Sequence, residues 1–146
     1  MLKVLLVDDE PFIVQGLSAL IDWEKEGFEI VGTAGNGSEA VEFLKSNPVD
    51  LILADIKMPV MNGLEFLKYI RETHLSEAFF VILSGYGDFT YAKEAIKWQC
   101  TDYILKPIQK SQLLALLSKV KQMQQDKKEE SERIRKIGKA YFVQQM

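Results

Sequence analysis

The sequence predicts an open α/β sheet of parallel strands with helices on both faces. Short apolar segments recur five times in the first 109 of its 146 residues, and amphipathic helical patterns fill the intervals. Most of these segments are apolar at every position, which is typical of strands that are covered on both faces. The length is sufficient for one domain with a real hydrophobic core.

The five apolar segments are the candidate strands, at residues 4–7, 30–33, 51–54, 80–83 and 103–105. Helix-start signals lie between them. Pro11 is suited to the first turn of the first helix. Asn36, followed three residues later by Glu39, predicts a capping box for the second. Asp88 is a candidate cap for the fourth helix, and a fifth begins near Ser111.

The chain changes character after residue 120. Residues 1–109 hold 17 acidic and 9 basic side chains, whereas residues 110–146 hold 4 acidic and 9 basic ones. Residues 121–133 are almost entirely polar, and apolar residues return at Ile134, Ile137 and Tyr141. From Leu116 onward these positions form a weak heptad. We therefore expect one domain at 1–120 and, at 121–146, either a solvated helical linker or the start of a coiled coil.

Composition excludes several classes of protein. With 18 Lys and Arg against 21 Asp and Glu, the net charge of −3 argues against a surface that binds nucleic acid throughout. Cys100 is the single cysteine, which excludes a disulfide framework and a Cys-rich zinc site. No apolar run approaches the roughly 18 residues of a membrane span. The first strand ends in acidic residues, unlike a signal peptide, so we expect a cytoplasmic protein.

Unusual polar residues follow four of the five predicted strands. Asp8 and Asp9 follow the first, Asp55 the third, Ser84 the fourth and Lys106 the fifth. Because the carboxyl ends of parallel strands share one edge of the sheet, we expect these side chains to meet there, where ligands bind in such folds. By contrast, Gly32, Gly35 and Gly37 do not match a dinucleotide-binding motif and predict a turn before the second helix.

The expected cluster has the chemistry of a phosphoryl receptor. Three neighbouring carboxylates repel one another and require a cation, and an all-oxygen set suits Mg²⁺ or Mn²⁺. Lys106 and Ser84 add an ammonium group and a hydroxyl group that can bind anionic oxygens. Asp55 is the candidate nucleophile, since a carboxylate can accept a phosphoryl group as an acyl phosphate.

The sequence resembles the receiver domain of two-component response regulators over about residues 1–120. The resemblance rests on five motifs in order: Val7-Asp8-Asp9-Glu10-Pro11, Asp55-Ile56-Lys57-Met58-Pro59, Asn62-Gly63, Ser84-Gly85-Tyr86 and Lys106-Pro107. It implies a flavodoxin-like fold with strand order 2-1-3-4-5 and a C-terminal helical extension. It also implies that Asp55 is the phosphoacceptor and that the chain is a switch domain rather than an enzyme.

The resemblance further implies a metal site. In such a site Asp9, Asp55 and the backbone carbonyl of Lys57 hold Mg²⁺, with Asp8 acting directly or through water. Ser84 and Lys106 hold the phosphoryl oxygens.

The same resemblance places Tyr103 at the position of the family's switch aromatic residue. It places Lys106-Pro107 where the family commonly has a cis peptide bond. The run Ser84-Gly85-Tyr86-Gly87-Asp88-Phe89 with Tyr91-Ala92 is similar to receivers that carry an AraC-type DNA-binding domain.

The expected partners follow from this resemblance. His74 is the only histidine and lies near a predicted helix end, so the phosphoryl donor should be a histidine on a sensor kinase. We expect a homodimer on activation and DNA contact only through an output domain outside these residues. Two alternatives stay open: a binding module that signals without phosphate, and a Mg²⁺-dependent aspartyl-phosphate phosphohydrolase. Phosphohydrolases of that kind typically have a D-x-D pattern after the first strand and a cap domain, and this sequence has neither the pattern nor the length for a cap.

Overall fold

The computed structural model describes residues 1–85 and 89–144, and for residue 89 and residues 138–144 only the backbone. Within these residues, five parallel strands form one sheet in the order β2-β1-β3-β4-β5, which confirms the predicted order. The predicted cap Asp88 and the motif residue Tyr86 lie outside the described residues, as does the side chain of Tyr141.

Strands and helices alternate along the described residues. Their bounds are β1 Leu2–Val7, α1 Pro11–Leu20, β2 Phe28–Ala34, α2 Gly37–Ser46, β3 Leu51–Asp55, α3 Gly63–Glu72, β4 Phe79–Ser84, α4 Phe89–Lys97, β5 Asp102–Leu105 and α5 Lys110–Gln144. Each predicted strand is present, and β1 and β2 each begin two residues earlier than predicted, where Leu2 pairs with Phe28. No helix of the described segments is long and apolar enough to span a membrane.

The helices pack against the sheet through two hydrophobic clusters, one on each face. Phe66 of α3 and Phe80 of β4 pack in the first cluster with 5.4 Å between their ring centroids. Leu113 and Leu117 of α5 pack in the second cluster against the other face. The four apolar residues 51–54 of the central strand β3 are buried, as predicted, and so is Asp55 at the end of the strand.

The helix caps differ in part from the prediction. The Asn36 side chain accepts a hydrogen bond from the Glu39 amide at 2.9 Å, as predicted. The Glu39 carboxylate, however, accepts from the amide of Gly35 rather than from that of Asn36, so only half of the capping box forms. The complete reciprocal box lies at α3, between Asn62 and Glu65.

Helix α5 is a single helix of 35 residues, roughly 50 Å long at 1.5 Å per residue. Leu116 and Val120 are buried against the sheet in the second cluster. They are therefore not available to a partner helix, and a coiled coil could use the predicted heptad only beyond them. Ile134 and Ile137, further along the same helix, are 60% and 62% exposed.

Candidate functional site

The predicted site residues lie at one edge of the sheet. Asp55 is the last residue of β3 and Ser84 the last of β4, and these two strands are paired. Asp8 and Lys106 directly follow β1 and β5. Parallel strands that end together thus bring four separate parts of the chain to one place, as the alternation of strands and helices predicts.

Lys106 joins the two buried carboxylates of this edge. Its Nζ atom lies 2.8 Å from Oδ2 of Asp8 and 3.2 Å from Oδ2 of Asp55. The residues Asp8 and Asp55 are only 6% and 7% exposed. The second oxygen of Asp8 accepts a hydrogen bond from the Glu10 amide at 3.0 Å, which fixes the orientation of that carboxylate.

The charges of the cluster shift two pKa values. Burial raises the pKa of Asp55 above its ordinary value; the charge of Lys106 opposes that shift and the charge of Asp8 adds to it. Burial lowers the pKa of Lys106, but the hydrogen bond to Asp8 and the charges of both carboxylates outweigh this, so its pKa is raised. The partly buried lysine is therefore held in its charged form by the acids around it.

A divalent cation fits this set of residues. Asp8, Asp9 and Asp55 each place one carboxylate oxygen so that all three lie within 4.8 Å of one another. Three carboxylates against one ammonium group leave two negative charges in excess when all are ionised. Asp9 is exposed, which leaves room for the water ligands that Mg²⁺ retains, and the donors are all oxygen.

Ser84 and the chain after β5 complete the edge. The Ser84 hydroxyl donates a hydrogen bond to the carbonyl oxygen of Gly85 at 2.9 Å, and Ser84 is buried. The Lys106 amide donates to the Ser84 carbonyl, and the Lys106-Pro107 peptide is cis, as the resemblance implied. Rotation about one side-chain bond could redirect the hydroxyl toward an anion bound at Asp55.

The predicted switch residue Tyr103 lies on β5, where it is half-buried against the first hydrophobic cluster. It pairs in register with Ile82 of β4, two residues before Ser84. It lies two residues before the end of β5, whereas Asp8, Asp55 and Lys106 lie at or directly after strand ends. Lys57, two residues after Asp55, is exposed.

Two glycines fix the loop after Asp55, and the sequence reasoning named both without the close approach that each one permits. A Cβ atom at Gly63 would lie 2.2 Å from the carbonyl oxygen of Asp55, so α3 can begin there only with glycine. Gly37, interpreted above only as part of a turn, donates its amide to the carbonyl of Met61 in this loop. No local sequence pattern signals this contact, because it joins two separate segments of the chain.

The sequence profile described as the response regulator receiver domain matches residues 4–118, most of the chain. The chain belongs to the response regulator receiver family. The matched residues include every strand-end residue described above. The receiver domains of response regulators are signalling switches.

Three similar proteins illustrate the match. The transcriptional regulatory protein YesN of Bacillus subtilis is 40% identical over 120 residues, which are 82% of this chain and 32% of that protein. The solved receiver domain of AraT, a response regulator from Geobacillus stearothermophilus, is 38% identical with a TM-score of 0.80 and covers 87% of this chain and 98% of its own. A two-component transcriptional regulator AraC from Clostridium phytofermentans is 33% identical with a TM-score of 0.75, over 84% and 94% of the two chains. The receiver thus spans about a third of the length of YesN.

Proposed function

We propose that Asp55 accepts a phosphoryl group from a phosphohistidine of a sensor kinase and that this event controls the output of a transcriptional regulator. The observation that carries the proposal is the contact of Lys106 with both Asp8 and Asp55, at 2.8 and 3.2 Å. It supplies a positive charge beside a buried carboxylate at the edge of the sheet where ligands bind.

In the transfer, a carboxylate oxygen of Asp55 attacks the phosphorus atom of the phosphohistidine. The phosphorus–nitrogen bond breaks, its electron pair stays on the imidazole nitrogen, and an acyl phosphate forms on Asp55. Lys106 can bind a phosphoryl oxygen while keeping its shorter contact to Asp8. The Ser84 hydroxyl can exchange the Gly85 carbonyl for a second phosphoryl oxygen.

The metal would be Mg²⁺ or Mn²⁺, held by Asp8, Asp9, Asp55 and the backbone carbonyl of Lys57. When bound, it supplies positive charge that offsets the repulsion between the carboxylates and an approaching phosphoryl group. The fit rests on the three carboxylate oxygens within 4.8 Å and on their excess negative charge.

The readout that we propose is a packing change at the face formed by α4, β5 and α5. Movement of the Ser84 hydroxyl toward the phosphoryl group leaves space that half-buried Tyr103 on the paired strand can enter by a rotamer change. The face then has two arrangements, one that favours the monomer and one that favours the homodimer. The charge of the phosphoryl group on Asp55 shifts the equilibrium between them.

We further propose that the chain divides near residue 120. Residues 1–120 would form the receiver, and residues 121–146 the helical connection to an output domain that contacts DNA in the cytoplasm. The continuous helix α5 and the greater length of the relatives named as transcriptional regulators support this. The helix beyond residue 120 is either a solvated linker or the start of a coiled coil.

Incubation with a small phosphodonor and Mg²⁺, followed by intact-mass measurement over time, tests the function. We expect a lasting adduct of one phosphate. Rapid turnover of the donor without an adduct would instead indicate a phosphohydrolase. The absence of both turnover and adduct would indicate a module that signals without phosphate.

Sedimentation with and without beryllofluoride tests the readout. A mass that does not change on addition of beryllofluoride would contradict dimerisation. If Tyr103→Ala showed the same change in mass as the wild type, the role of Tyr103 would be contradicted.

A further inference from the structure

The segment that joins Asp55 to α3, residues 56–62, is here termed the acceptor loop. Its base is closed by a hydrogen bond of 2.9 Å from the Gly63 amide to the Ile56 carbonyl. Met58, within the loop, is 9% exposed and packs in the first hydrophobic cluster. Lys57, whose carbonyl the proposed function assigns to the metal, lies between these two anchors.

The far side of the acceptor loop has a strained backbone. Val60 has a φ of 68°, in the left-handed region that β-branched residues rarely adopt. The Met61 amide donates to the Pro59 carbonyl at 2.7 Å, which closes a γ-turn around Val60. Val60 is 84% exposed, so no packing of its side chain holds the turn in this shape. Such strain persists only where surrounding contacts impose it.

One contact that holds this turn comes from α2. The amide of Gly37, the first residue of α2, donates to the Met61 carbonyl at 2.9 Å. This amide is one of the donors that a helix leaves unsatisfied at its start, and Met61 supplies the acceptor. A Cβ atom on Gly37 would lie 2.6 Å from Cγ and 2.9 Å from the carbonyl oxygen of Met61, so α2 and the loop can approach this closely only with glycine.

We propose that Gly37 is a positioning residue for the acceptor loop, and that the first turn of α2 thereby tunes the affinity of the site for its cation. The inference rests on the proposed metal site at Asp55. Gly37 touches no reacting atom; it acts through Met61 and the strained turn at Val60, which fix the loop that carries Lys57. Because coupling is reciprocal, occupancy of the site should in turn stabilise the Gly37–Met61 hydrogen bond.

The first test is calorimetric titration of Mg²⁺ into the full chain, wild type and Gly37→Ala. Alanine is a better helix former than glycine, so propensity alone would leave the variant at least as stable. We expect about tenfold weaker Mg²⁺ binding, the effect typical of losing a residue that orients a ligand. Gly16→Ala in α1, where a Cβ atom meets nothing within 4 Å, is the matched control and should bind like the wild type. Equal affinities for Gly37→Ala and wild type would overturn the proposal.

The second test uses the wild-type chain and so does not depend on the folding of a variant. Amide hydrogen exchange is measured by NMR without ligand and with Mg²⁺ and beryllofluoride. We expect the Gly37 amide to exchange about threefold more slowly, or slower still, when the site is filled. The Leu2 amide, which donates to Gly27 at the other end of the strands, is the internal control. A change at Gly37 no larger than at Leu2 would overturn the proposal, whereas a wild-type chain that binds no Mg²⁺ would instead contradict the proposed function.

Discussion

Lys106 is closer to Asp8 than to Asp55, with Nζ–Oδ2 distances of 2.8 and 3.2 Å. Lys106 therefore binds Asp8 more closely, and its longer contact to Asp55 can be shared with an incoming phosphoryl group. Its charge also occupies the space between acids that a cation would bind. The two roles oppose each other, because a fixed ammonium group repels a metal ion and attracts a phosphoryl group.

Replacement of this lysine should separate the two roles. We expect Lys106→Met to bind Mg²⁺ about fivefold more tightly, since one positive charge near the cation is removed. Its labelling by a phosphodonor should nevertheless fall. Calorimetric titration at pH 7 measures the affinity, and Lys119→Met, whose exposed ion pair to Asp102 lies outside the site, is the control. Weaker Mg²⁺ binding by Lys106→Met would contradict this account.

Asp8 and Asp9, the two acids after β1, should contribute differently to metal binding and to stability. We expect Asp9→Ala to weaken Mg²⁺ binding about tenfold or more, since it removes a carboxylate from a site with few protein ligands. Asp8→Ala should weaken it less but lower the free energy of unfolding more, because Lys106 loses its closer partner. Calorimetry and urea denaturation of both variants provide the comparison. The opposite ranking in both measurements would reverse the two assignments.

Asp55→Asn should leave the metal-free protein at least as stable as the wild type. Burial raises the pKa of Asp55, so the folded protein holds this proton to higher pH than the unfolded chain does. Its ionisation therefore costs stability as pH rises through the window above its ordinary value of 3.8. In EDTA, the melting temperature of Asp55→Asn relative to the wild type should rise across that window and then level off. A relative melting temperature that falls with pH would contradict the assigned cause.

Val60→Asn should stabilise the chain. Asparagine tolerates positive φ better than a β-branched residue, and the exposed valine side chain contributes little burial. We expect a gain of about 0.5–1 kcal/mol in the free energy of unfolding. Urea denaturation checks this value, with Val49→Asn, at a partly buried position, as a control that should lose stability. Destabilisation by Val60→Asn would show that the turn is not strained.

Much of this fold could be predicted from local patterns. Continuous apolar segments identified the strands, and the position of Asp55 and Ser84 directly after two of them placed both at one edge of the sheet. These predictions succeeded for two reasons. The sequence of each strand shows that both of its faces are buried, and parallel strands all end at the same edge of the sheet.

The features that were missed depend on contacts between distant segments. The proximity of Gly37 to Met61 arises from the packing of α2 beside the acceptor loop, which no local pattern encodes. Nothing in a valine predicts positive φ at Val60. The heptad spacing at Leu116 likewise could not show that this residue packs on its own sheet rather than on a second chain, since both neighbours select the same apolar spacing.

Labelling of Asp55 tests the central claim most directly. Wild type, Asp55→Asn and the control Asp50→Asn are incubated with a small phosphodonor and Mg²⁺, and intact masses are measured. Asp50 accepts a hydrogen bond from the Lys3 amide at the opposite end of the strands, so its variant makes the same chemical change outside the site. We predict one phosphate on the wild type and on Asp50→Asn, and none on Asp55→Asn, whose amide is a poor nucleophile. An undiminished single-phosphate adduct on Asp55→Asn would contradict the account.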